Sequence, residues 1–217
     1  MQTGLVQFAN CLARNLKLHD WRLEPFNAVP GGRVIIVEND YFTDPEFHRE
    51  LRVDNAKAGN KGIDMLFCVP PGYVEYSRDE ARSYAARRLR EWNELVWDGV
   101  DVSTRIRFPT NVEQLRIVQY GSSRGLEGWT VVNLSLDEFY DYKLDRYRLQ
   151  SYPDGIALDE TTERHQFAAH WLMIPMTRAM DTIVITLGPK DSVVKTALRR
   201  CCEELRDIVE WRAPVPV

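Results

Sequence analysis

Five short runs rich in valine and isoleucine, at 33–38, 64–69, 115–120, 130–136 and 182–187, are separated by stretches with helical spacing. That alternation constrains the fold more than any other feature. Strands too short and too apolar to face water need helices over both faces, and a parallel arrangement supplies them through its crossovers. Apolar residues at Leu5, Val6, Phe8, Ala9, Leu12, Ala13 and Leu16 predict a first helix over 5–18. A short helix is expected at 45–51. A longer one should begin at an N-cap, Ser77, with Glu80 as its capping-box partner, and end near Trp97. The stretch 137–159 reads as irregular. A helix is expected from 160 to about 180 with a kink or break at Pro175, and a last helix capped by Asp191 runs through Trp211. The expectation is one α/β domain over 1–217, with a mostly parallel sheet of about five strands.

Composition narrows the function classes. Lysine plus arginine number 28 against 32 aspartates and glutamates, so the net charge of −4 excludes a wholly basic surface but not a local basic stripe. The longest apolar runs, such as 182–187, fall far short of the ~18 residues of a membrane span. The first 15 residues lack the pattern of a signal peptide. Cys11, Cys68, Cys201 and Cys202 follow no framework spacing and form no C-x-x-C, which points to reduced thiols in a cytoplasmic setting. His165 and His170 stand five apart, not the four of a helical zinc pair.

Three constellations carry candidate chemistry. Gly121-Ser122-Ser123-Arg124-Gly125 fits G-x-S-x-G. Ser123 would be a nucleophile, with Asp154 or Asp159 and then His165 or His170 following in the order of an α/β hydrolase. Against it, residues 126–132 lead into another strand, whereas the elbow must enter a helix. Residues 131–138, Val-Val-Asn-Leu-Ser-Leu-Asp-Glu, imitate a Walker B strand, yet no G-x-x-x-x-G-K-[ST] phosphate loop occurs in the chain. Asp137, Glu138 and Asp141 then read as a solvated strand end.

The third constellation couples separated blocks. Residues 115–132 contain Gly125-Leu126-Glu127 between two strands. Residues 171–187 contain Thr177-Arg178-Ala179 between a helix and a strand. These resemble motifs V and VI of the superfamily 1 DNA helicases of the UvrD/Rep kind, and residues 2–10 resemble the part of motif IV that follows its arginine. Gln119, Gly121 and Arg124 stand where that family has Thr, His and Lys. Gly128 stands where it has an aromatic residue, with Trp129 displaced by one.

The resemblance implies a RecA-like three-layer α/β domain, the C-terminal half of a motor whose ATP site lies between two such domains. It implies Arg178 as the arginine that stabilises charge on the transferred phosphoryl group. It gives Gly125, Glu127, Arg178 and Arg124 to the ATP site, with Glu127 on the ribose, and Gln119, Ser122 and Ser123 to the DNA strand. It implies ATP with Mg²⁺ as cofactor in the complete motor only, no metal held by this half, and two partners: an N-terminal P-loop domain of the same protein and single-stranded DNA. The chain alone, lacking both Walker elements, is expected to be inactive. It would be a fragment or a split relic of a longer motor. By their own pattern, arginines 82, 87, 88, 90, 105, 107 and 116 could track the phosphates of a strand, although such a run is more often a solvated helix face. A non-catalytic interaction domain on the same fold is the main alternative, and a serine hydrolase using Ser123 the lesser one.

Overall fold

The computed structural model describes residues 1–25, 28–78, 80–147 and 159–212. Its centre is a seven-stranded sheet in which every pair of neighbours is parallel. The strands are β1 (Arg33–Val37), β2 (Met65–Val69), β5 (Val96–Asp98), β6 (Leu115–Gln119), β7 (Gly128–Asn133), β8 (Ala179–Thr186) and β9 (Val209–Arg212), in the spatial order β5-β6-β2-β7-β8-β1-β9. A small antiparallel hairpin, β3 (Val74–Tyr76) with β4 (Ala81–Ser83), stands apart from it. All five runs expected to be strands are strands, and β5 and β9 add one short strand at each edge.

Side chains alternate between the two faces, as period-two geometry requires. Leu66, Cys68, Val131, Ile183 and Ile185 pack under α1 (Thr3–Asn15), α5 (Leu136–Arg146), α6 (Glu160–Met176) and α7 (Val193–Glu204). Met65, Phe67, Val69, Val132 and Val184 pack under α2 (Pro45–Lys57) and α3 (Tyr84–Glu91). Such a strand set, buried on both faces, is what a parallel sheet demands. The result is the three-layer α/β architecture expected, of RecA-like kind. Among the described residues no helix is long and apolar enough to cross a membrane.

Several boundaries differ from expectation. Ser77 does not cap a helix. Its N–H donates to the Glu80 carbonyl in the turn of the β3–β4 hairpin, and α3 begins instead at Ser83, whose hydroxyl accepts from the Ala86 N–H. Asp191 is likewise displaced as a cap by Ser192, which accepts from the Lys195 N–H, and α7 ends at Glu204 before β9. The stretch expected to be irregular holds α5. Its first turn carries Asp137, which is buried and accepts from the Gly188 N–H at 3.0 Å, so Asp137 is not a solvated strand end.

At the carboxyl end of β1, Lys195 is almost wholly buried and is held by Glu38 and by the Pro189 carbonyl, tying α7 to the sheet. Burial alone would raise the Glu38 carboxyl, but the Lys195 ammonium overrides it and holds it below the ordinary range. A depressed carboxyl stabilises the fold above its unfolded pKa, about 4.3, and that contribution is lost as pH falls through the folded value. Lys195→Met should therefore flatten the acid limb of stability below about pH 4.3 in urea titrations. An acid limb as steep as the wild type's contradicts this account of the pair.

Candidate functional site

The start of α1 and the residues about Glu127 and Arg178 meet at the amino-terminal edge of the sheet. β7 and β8 are neighbours, with Gly128 paired to Ala179, and the Gly128 N–H donates to the Arg178 carbonyl at 3.0 Å. Glu127 and Arg178 thus lead into adjacent strands. The start of α1 joins them. The Gln2 N–H donates to the Met180 carbonyl at 3.3 Å, and the Gly4 N–H to the Gly31 carbonyl at 2.8 Å. Gly4 is required for that approach, because a Cβ there would lie 2.6 Å from the Gly31 oxygen. Beside this junction opens a cavity of about 470 Å³, lined by Gln2, Val6, Leu23, Trp129 and Met180 among others.

Arg178 follows the end of α6. Pro175 sits in the last turn of that helix, which stops at Met176, short of the expected 180. The Arg178 guanidinium, half-buried, folds back over that helix end, with Nε donating to the Ile174 carbonyl at 3.1 Å and Nη2 to the Thr177 hydroxyl at 2.6 Å. A cation at a helix C-terminus is also favoured by the exposed carbonyls. The Glu127 side chain is exposed, while its carbonyl accepts from the Arg116 guanidinium. Burial pulls Arg116 below the ordinary guanidinium range, opposed by the charge of Asp64. Arg116 is therefore a clamp on the Glu127 main chain rather than part of a solvated stripe. Nothing in the local sequence distinguishes the two roles.

The remaining residues are spread along the crossover from β6 to β7. Gln119 is level with Val69 at the carboxyl end of the sheet, whereas Thr130 is level with Met65 at the amino end, so residues 120–127 traverse the full width. Gln119 donates to the Tyr76 hydroxyl at 3.2 Å, and the Ser122 hydroxyl accepts from Arg105. Arg124 is exposed and stands over the Trp171 ring at 4.6 Å. Gly125 has φ +78, a backbone that favours glycine, with open space around it. The structure accordingly brings Glu127 and Arg178 together at one end and leaves Gln119 and Ser122 at the other, with Arg124 and Gly125 between.

Ser123 is fully buried and its hydroxyl donates to the Tyr120 carbonyl at 2.8 Å. Its turn leads into β7, not a helix. His165 Nδ1 pairs with the Tyr140 hydroxyl at 2.7 Å, His170 Nδ1 with the Gln166 carbonyl at 2.8 Å, and Asp159 caps α6. Asp154 lies outside the described residues. No described group activates Ser123, so the hydrolase reading is corrected. The enclosed Ser123 side chain is also withheld from any strand passing outside. Of the supposed arginine stripe, Arg82 lies on β4 and pairs with Glu80, Arg87 pairs with Glu75, and Arg88 with Glu91. Among the described residues no cluster of three His, Cys, Asp or Glu side chains could hold a metal ion.

The fold and this edge define a parallel α/β domain whose conspicuous polar groups lie at the amino ends of two central strands. No family model matches the sequence, and no curated protein matches it. Among solved structures the chain is similar to the C-terminal domain of a possible DNA helicase from Lactobacillus plantarum. The TM-score is 0.50 at 10% identity, over 94% of this chain and 95% of that one, a likeness of fold.

The glycine at 128, where the helicase motif has an aromatic residue, has a local cause. A Cβ there would lie 3.0 Å from the Thr130 carbonyl oxygen and 3.1 Å from the Leu66 Cβ, and the β7–β8 register shifts between Gly128 and Thr130. Gly128→Ala should lower stability by about 1–3 kcal/mol in denaturant titration. A variant as stable as the wild type would mean that the strand start is looser than described.

Proposed function

We propose that this chain is the second motor domain of an ATP-driven superfamily 1 helicase of the UvrD/Rep kind, completed by an N-terminal P-loop domain of the same protein. The observation that carries the reading is the hydrogen bond from the Gly128 N–H to the Arg178 carbonyl, which sets Glu127 and Arg178 at one edge beside the start of α1. The three blocks that resemble motifs IV, V and VI thereby converge. The fold likeness to a helicase C-terminal domain is consistent with this, as is the free Glu127 carboxylate.

In this reading ATP with Mg²⁺ lies between the two domains, and the P-loop half supplies the phosphate cradle and the metal-holding acids. Glu127 accepts hydrogen bonds from the ribose. Arg178 leaves the end of α6 and turns its planar fork of donors to the γ-phosphoryl oxygens, where negative charge builds in the transition state. The Gly125 turn completes the nucleotide side. Gln119 and Ser122, at the opposite end of the crossover, belong to the DNA side, with Ser123 holding the turn behind them. The expected setting is cytoplasmic.

One observation favours a second reading, a non-catalytic interaction domain on the same fold: the Arg178 guanidinium is already satisfied by its own helix end. Kinetics separate the two. In the complete two-domain motor, Arg178→Ala should reduce kcat by about 10³-fold while leaving nucleotide affinity nearly intact. Glu127→Ala should chiefly raise KM, because a ribose contact is made equally in ground and transition states. The isolated chain should show no ATP turnover. Wild-type turnover by the Arg178→Ala motor contradicts the assignment and leaves the interaction-domain reading.

A further inference from the structure

The conspicuous electrostatic feature outside the nucleotide edge is a pair of cations over one indole. Lys143 of α5 stands 3.3 Å from the centroid of the Trp171 ring of α6, and Arg124 of the crossover stands over the same ring. Burial, and then the charge of Arg124, pull the Lys143 ammonium below its ordinary pKa. Neither cation has an ion-pair partner among the described residues, although Arg14, Arg33, Arg49, Arg82, Arg87, Arg88, Arg199 and Arg212 all do. The indole face attracts each cation, but no described ion pair relieves their mutual repulsion. Two like charges gathered on half-buried ground, with no described carboxylate paired to either, favour an anion.

The surroundings identify the kind of anion. Partly exposed aromatic rings continue from Trp171 along the seam of α5 and α6, Phe167 at 6.4 Å and then Tyr147 at 5.5 Å from Phe167, and Arg146 stands over Tyr142 at 5.2 Å. The nearby Glu163 carboxylate is engaged by the Tyr147 hydroxyl at 2.6 Å. Cations interleaved with rings suit a polymer that presents phosphates and flat bases together, not a lone phosphate ion. We propose that Arg124 and Lys143, held over Trp171, bind the backbone phosphates of a single-stranded nucleic acid along the α5–α6 seam, with Phe167 offering a stacking face. This rests on the proposed function for the class of polymer only. It reassigns Arg124 from the nucleotide to the strand, and it adds Lys143, Trp171 and Phe167, which no motif marks.

The test is fluorescence anisotropy with a labelled oligothymidylate of about 15 nucleotides, titrated with the 217-residue chain between about 50 and 200 mM salt. Arg124→Gln with Lys143→Gln should weaken binding roughly tenfold at the lower salt and reduce the salt slope by about 1.4, or 0.7 per lost contact on a single strand. Arg49→Gln with Lys57→Gln, a charge-matched pair on α2 across the sheet, should leave both unchanged, and Trp171→Phe should keep most of the affinity with the fold intact by circular dichroism. Equal weakening by this α2 pair, or wild-type binding by the Arg124→Gln/Lys143→Gln variant, overturns the site while leaving the motor reading untouched. Oligothymidylate ignored by the wild-type chain overturns the site and its choice of ligand. Displacement by equimolar ATP would show that the pair serves nucleotide instead.

Discussion

The pairing of β7 with β8 at their amino ends is the contact on which the site depends. Each strand is preceded by a segment of unrelated origin, an extended crossover before Gly128 and a helix terminus before Ala179. Only the ladder between them brings Glu127 beside Arg178. The same edge needs three close backbone approaches: Gly128 against Leu66 and Thr130, Gly4 against Gly31, and the Gln2 N–H on Met180. Gly4 has no room for a Cβ at its approach, and Gly128 has little. The geometry of the edge is thus built into main chain and packing, leaving the exposed Glu127 side chain free for chemistry.

The crossover from β6 to β7 explains how one short block reaches both ends of the sheet. It spans the sheet from the level of Gln119 to that of Glu127, so residues close in sequence stand at opposite ends of the domain. Arg124 pins its middle to α6 through Trp171, and Ser123, buried with its hydroxyl on Tyr120, anchors it to the core.

The parts of the fold that were legible in the sequence are those with one dominant signal. The five inner strands are continuous aliphatic runs because both faces are covered, and α1 shows its apolar stripe plainly. β5 and β9 were not legible: three or four residues at a sheet edge carry no periodicity, and Val96–Asp98 looks like the end of a helix. Ser77 misled because S-x-x-E serves equally as a capping box and as a hairpin turn. α5 was hidden because its buried face is made of Leu136, Asp137, Phe139 and Tyr140, in which an acid accepting from Gly188 replaces an apolar residue. At the candidate site, Arg178 and Glu127 were singled out only through the resemblance, whereas the clamp by Arg116 and the cations over Trp171 depend on contacts between distant segments that no local pattern records.

The central claim is that Arg178 leaves its helix end for the phosphates when the second half of the site is supplied. The most direct measurement is a structure of the chain joined to its P-loop domain with Mg²⁺, ADP and aluminium fluoride as transition-state mimic. The account predicts the Arg178 guanidinium within hydrogen-bonding distance of the fluoride group, its bonds to Ile174 and Thr177 broken, and the Glu127 carboxylate on the ribose. Arg178 still folded over the end of α6 with nucleotide bound, or nucleotide seated away from the β7–β8 edge, would contradict it.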